Sequence, residues 1–167
     1  TSNRAMQGSD TYVALQRAVE SKDLAKTAEL KETLTERYAA TPYDEFGLLA
    51  EAALHVRLGD LGQAEASLQQ AIDTASVPEL KDVARLRLAT VLNSAEKYQQ
   101  ALALLDGDFP DAYVSLIEEY RGDALLGIGD TKAAAAAYDR ALLTANGQAE
   151  YLQWKRNDLG DGADGAS

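Results

Sequence analysis

Residues 52–68 read AALHVRLGDLGQAEASL. Ala52 stands twelve positions before Ala64, and Leu68 follows four later. Gly59-Asp60 lies between them, a turn signal inside an otherwise helix-forming run. The arrangement returns twice. Ala89 is followed by Ala101 and Leu105, and Gly122 by Ala134 and Tyr138. The Ala-x-x-x-large pairs are 101 − 64 = 37 and 134 − 101 = 33 residues apart.

That spacing is close to the roughly 34-residue period of tetratricopeptide repeats. Such a repeat is a pair of helices. Ala52, Ala89 and Gly122 sit where the two helices cross, and their small side chains let the axes approach. Ala64, Ala101 and Ala134 meet them from the return helix, while Leu68, Leu105 and Tyr138 fill the wedge towards the next pair. One hairpin cannot bury its apolar face alone, so the pattern predicts an all-α, tetratricopeptide-like, right-handed helical-hairpin solenoid.

Working outward, the sequence predicts a flexible lead-in over residues 1–9 and a helical domain over 10–159. The domain comprises a degenerate hairpin at 10–40 and repeats at about 42–76, 78–109 and 111–146, with a covering helix at 149–159. Leu30, Leu34 and Tyr38 give the degenerate hairpin its apolar stripe. Thr41-Pro42-Tyr43-Asp44 and Ser76-Val77-Pro78-Glu79 read as capping boxes. Residues 160–167 are Gly, Asp, Ala and Ser, and read as a disordered tail.

Composition narrows the function. Hydrophobic residues make up 46% and aromatics only 7%, which suits close-packed helices. The net charge of −11 repels phosphate backbones and anionic lipid, so neither nucleic acid nor a membrane surface is an expected partner. Without cysteine there is no thiol catalysis, thiolate metal site or disulfide. The single histidine, His55, falls at a packing position and, without cysteine, has few partners for a zinc site. Glu118-Glu119 diverge on a helix, and Asp106-x-Asp108 lacks the rest of a calcium loop. Gly127-Ile128-Gly129 follows no strand and reads as a hairpin turn. The sequence therefore predicts no enzyme, no catalytic residues, no metal site and no cofactor.

The inner face of a hairpin solenoid is lined mainly by the first helix of each repeat. By repeat position, the partner-binding residues are Phe46, Leu49, Arg57, Leu86, Asn93, Glu119 and Asp123. This mixed apolar and charged set suits a protein segment.

Further segments point to a family. Glu79-Leu80-Lys81, Leu86-Arg87-Leu88-Ala89 and Arg121-Gly122-Asp123-Ala124-Leu125-Leu126 before Gly129-Asp130, with Leu68-Gln69-Gln70-Ala71-Ile72, resemble the periplasmic domain of the YfgM family. The resemblance covers about Tyr12 to Leu159. It implies an ancillary subunit of the SecYEG translocon, held in the bacterial inner membrane by one transmembrane helix and facing the periplasm. It also implies association with the chaperone PpiD, transfer of secreted proteins to folding factors, and an influence on envelope stress signalling. A nascent chain starts with Met and this sequence with Thr1, so the expectation is that something upstream was removed, in the cell or in preparing the chain, and a signal peptide or a membrane anchor could be lost in this way. The alternative is another tetratricopeptide adaptor, serving outer-membrane or cell-wall assembly.

Overall fold

The computed structural model describes residues 2–39 and 41–160, and it is all-helical, with no strand among them. The chain forms two compact units, Thr1–Val91 and Leu92–Ser167. The first holds α1 (Ser2–Glu20), α2 (Leu24–Tyr38), α3 (Tyr43–Arg57), α4 (Leu61–Thr74) and most of α5 (Pro78–Ser94). The second holds the end of α5, α6 (Tyr98–Leu105), a 3-10 turn (Asp111–Tyr113), α7 (Val114–Ile128), α8 (Thr131–Leu143) and α9 (Ala149–Asp158). In the first unit α1 packs on α2 and α3 on α4, and α3 also meets α1 and α2. In the second, α7 packs between α6 and α8, and α9 packs on α8.

One turn geometry recurs at four helix junctions among the described residues. A residue with left-handed backbone recurs at Lys22, Gly59, Glu96 and Gly129. After each, the next backbone N–H donates to the carbonyl five residues back: Asp23 to Ala18, Asp60 to His55, Lys97 to Leu92 and Asp130 to Leu125, at 2.8–3.0 Å. Asp23, Asp60 and Asp130 then cap the following helix, accepting from Lys26, Gln63 and Ala133 at 3.0–3.1 Å. The turns are 59 − 22 = 37, 96 − 59 = 37 and 129 − 96 = 33 residues apart. Gly59 (φ 77°) and Gly129 (φ 95°) adopt this conformation without the Cβ penalty that Lys22 and Glu96 carry.

The signature residues are buried as the spacing requires. Ala52, Ala89 and Gly122 are covered, as are Ala64, Ala101, Ala134, Leu68, Leu105 and Tyr138. Counting 37 residues back from Ala52 and Ala64 gives Leu15 and Thr27, both fully buried. The first hairpin thus uses larger residues at the crossing. Gly47 of α3 makes room for Leu34 and Leu15: a Cβ there would lie 2.8 Å from the Leu34 side chain and 3.5 Å from that of Leu15.

Four expectations change. Residues 2–9 of the lead-in are helical. Arg4 donates two hydrogen bonds to the Arg37 carbonyl, at 3.1 and 2.7 Å, and Gly8 is buried against the Tyr38 and Tyr43 rings. Neither capping box forms. Pro42 is itself the N-cap of α3 and makes no side-chain bond, while Asp44 accepts from the Thr35 hydroxyl at 2.6 Å. Ser76 gives both its backbone N–H (2.8 Å) and its hydroxyl to Glu45 of α3. Gly127 and Ile128 remain inside α7, so only Gly129 belongs to the turn. Gly127 is fixed by contact: a Cβ there would overlap the Tyr98 ring. The tail at 160–167 lies outside the described residues apart from Gly160.

Candidate partner-binding groove

Three helices, α1, α3 and α5, line one groove of about 470 Å³ in the first unit. Tyr12, Gln16, Val19 and Glu20 come from α1, Phe46, Leu49, Ala50, Ala53 and Arg57 from α3, and Leu80, Val83 and Arg87 from α5. One end is aromatic. The Tyr12 and Phe46 rings lie 5.7 Å apart, and Tyr43 stands 6.0 Å from each. A second cavity of about 340 Å³ adjoins through Ala53, Arg57 and Arg87, and continues onto Ala52, Val56, Leu68, Thr90 and Val91. The two arginines therefore stand where the aromatic and aliphatic stretches meet.

Of the residues chosen by repeat position, the structure brings Phe46, Leu49 and Arg57 together in this groove. Leu86 is buried and lines neither cavity. Groove positions on α5 follow the stripe Leu80, Val83, Arg87, at i, i+3, i+7, and Leu86 lies about 100° away from Arg87. Asn93 donates its side-chain amide to the Tyr120 carbonyl at 3.0 Å.

Glu119 and Asp123 of α7 come together in a different place, under α9. The Lys155 ammonium lies 2.9 Å from Glu119 and 3.0 Å from Asp123, and the Tyr138 hydroxyl donates to Asp123 at 2.6 Å. Glu119 is only 6% exposed. The covering helix engages both carboxylates, with Glu119 buried and Asp123 still partly exposed. Tyr12 and Arg87 were missed by repeat position. The signal for Tyr12 was available, since it lies 49 − 12 = 37 residues before Leu49.

The Lys155 cluster has a pH consequence. Burial works against the Lys155 charge, but hydrogen bonds to Glu119 and Asp123 outweigh it and hold the ammonium above its ordinary 10.5. Burial, then the bond to Asp123, pushes the Tyr138 phenol well above 10.0. Both groups hold their protons more tightly folded than unfolded. Their contribution is therefore complete below about pH 10 and is lost as pH rises past the unfolded values towards the folded ones. The urea midpoint should hold from about pH 7 to 9 and fall above about 10, and Tyr138→Phe should flatten that fall. A midpoint insensitive to pH up to about 11 would show the cluster contributes nothing.

His55 is buried within α3. Among the described residues no group of three or more His, Asp or Glu could hold a metal ion, and no helix is long and apolar enough to cross a membrane.

Paired helices, repeated turns and a groove lined by first helices define the class, and the tetratricopeptide repeat-like domain model matches residues 1–161. The ancillary SecYEG translocon subunit of Escherichia coli is 32% identical over 129 residues, covering 74% of this chain and 63% of the relative. The protein of the same name from Haemophilus influenzae is 28% identical over 135 residues, covering 81% and 66%. The chain belongs to this YfgM family of tetratricopeptide repeat-like proteins. It spans less than two thirds of the length of either relative. No solved structure matches it significantly.

Proposed function

We propose that this chain is a non-catalytic protein-binding adaptor that works beside a SecYEG translocon, with the groove of α1, α3 and α5 as its binding surface. The observation that supports this most is the continuity of that groove across α1, α3 and α5, with aromatic, aliphatic and cationic positions in sequence. The names of the relatives supply the translocon. In this reading the domain faces the periplasm from the inner membrane, held there by a single-pass segment outside the present sequence. It passes secreted proteins to periplasmic chaperones such as PpiD, and its loss perturbs envelope stress signalling.

Aromatic and arginine anchors tend to dominate such interfaces, so Phe46 and Arg57 are the residues to remove. Phe46→Ala with Arg57→Ala, in the full-length protein and after helicity and melting are checked, should reduce recovery of the translocon from solubilised membranes by about tenfold. Undiminished recovery by a well-folded double variant would place the binding surface elsewhere.

A further inference from the structure

The groove carries an unusual charge for this protein. The chain has 27 acidic and 16 basic residues, yet the charged residues of the groove are Glu20, Arg57 and Arg87. Arg57 and Arg87 are both exposed, and neither guanidinium makes a hydrogen bond or salt bridge among the described residues. Several arginines outside the groove are paired, whereas Arg17 and Arg37, like Arg57 and Arg87, make no side-chain ion pair among the described residues. Arg121 pairs with Asp106 at 2.7 Å, Arg140 with Glu118 at 2.9 Å and Arg156 with Asp139 at 2.9 Å. Arg57 and Arg87 are also the charged residues common to the two adjoining cavities.

We propose that Arg57 and Arg87 form a carboxylate-reading pair, and that the groove's occupant is an extended protein segment with acidic side chains between apolar ones. The proposal rests on the adaptor reading above and adds the chemistry of the partner. A guanidinium presents a planar fork of N–H donors that matches a carboxylate bidentately. The acid sits over the arginine pair, where the two cavities meet. An aromatic or large aliphatic residue on one side fills the space beside Tyr12 and Phe46. An aliphatic residue on the other lies on Ala52, Val56, Leu68 and Val91. Glu20 lines only the first cavity and disfavours an acid at that end. Charge of this kind sets specificity: a neutral segment of the same shape leaves both guanidinium groups unanswered.

The probe is a short fluorescein-labelled peptide with paired glutamates between a phenylalanine and a leucine. Its control has glutamines in their place. Anisotropy titrations with the intact chain should show the acidic peptide binding at least about tenfold more tightly, an advantage that shrinks as salt is raised. Arg57→Gln with Arg87→Gln should abolish the advantage while leaving melting unchanged, because both side chains are exposed and unpaired. Equal binding of the two peptides would overturn the acid-reading pair and leave the adaptor reading standing. Binding of neither peptide, or preferential binding to phosphatidylglycerol vesicles, would also overturn it. Failure of the adaptor reading shows separately, as undiminished translocon recovery by the Phe46 and Arg57 double variant.

Discussion

Gly122→Leu should lower the melting temperature by about 10 °C, from a loss of about 3 kcal/mol. Gly122 lies on α7 against the Tyr138 ring of α8. Even a bare Cβ at that position would come within 3.0 Å of three ring carbons. The ring has little freedom to retreat. Tyr138 is 1% exposed, and its hydroxyl is tied to Asp123 at 2.6 Å. Overpacking here forces either the helices apart or the ring out of its rotamer. Gly122→Ala isolates the cause. Alone it should destabilise, although alanine is the better helix former. Combined with Tyr138→Leu, its added cost should largely vanish, giving a coupling of about 1 kcal/mol or more in a double-mutant cycle. Thermal melting and urea titration of the four proteins decide the matter. Additive effects would mean that the ring does not define the crossing.

Lys155→Met should release α9 from the second unit. Lys155 is the cation beside Glu119 and Asp123, and Glu119 is buried. Removing one partner of a buried pair typically costs about 3–5 kcal/mol, because the remaining charge is left without an answer. The chain has a less costly route than global unfolding. α9 is ten residues long, and besides Lys155 it is anchored by fully buried Leu152 and by Arg156 on Asp139. If α9 lets go, water reaches Glu119, and the loss stops at the docking energy of that helix. Hydrogen exchange should therefore show amide protection falling across 149–158 by about a hundredfold, with α7 and α8 retained. Adding Glu119→Leu should restore part of it, since an apolar pair removes the stranded charge. Unchanged protection of α9 in Lys155→Met would mean that Leu152 and the Arg156 pair hold the helix unaided.

Much of the fold was legible because its determinants are local. The Gly59-Asp60 and Gly129-Asp130 turns need one residue tolerant of left-handed backbone and one carboxylate to accept from the N–H three residues on. Small residues twelve positions apart meet across a hairpin once such a turn is fixed. These relations lie within about half a repeat, so the order of residues determined the hairpins, their period and the helices that line the groove.

Only the tertiary structure decided which of several local options was used, because the competing partners are distant in sequence. Ser76-Val77-Pro78-Glu79 offers a capping box, but Glu45, 31 residues earlier, takes the Ser76 hydrogen bonds. Glu119 and Asp123 occupy repeat positions open to a partner, but Lys155 arrives from 36 and 32 residues away and pairs with both, burying Glu119. Residues 2–9 look like a polar lead-in until Arg4 reaches the Arg37 carbonyl, 33 residues on. Leu86 and Arg87 are adjacent in sequence, and helical rotation by about 100° per residue placed one in the core and the other in the groove. Spacing defines what a helix can offer. Burial beside a distant charge, carbonyl or ring selects which offer is taken, since an unanswered buried polar group costs more than most local preferences supply.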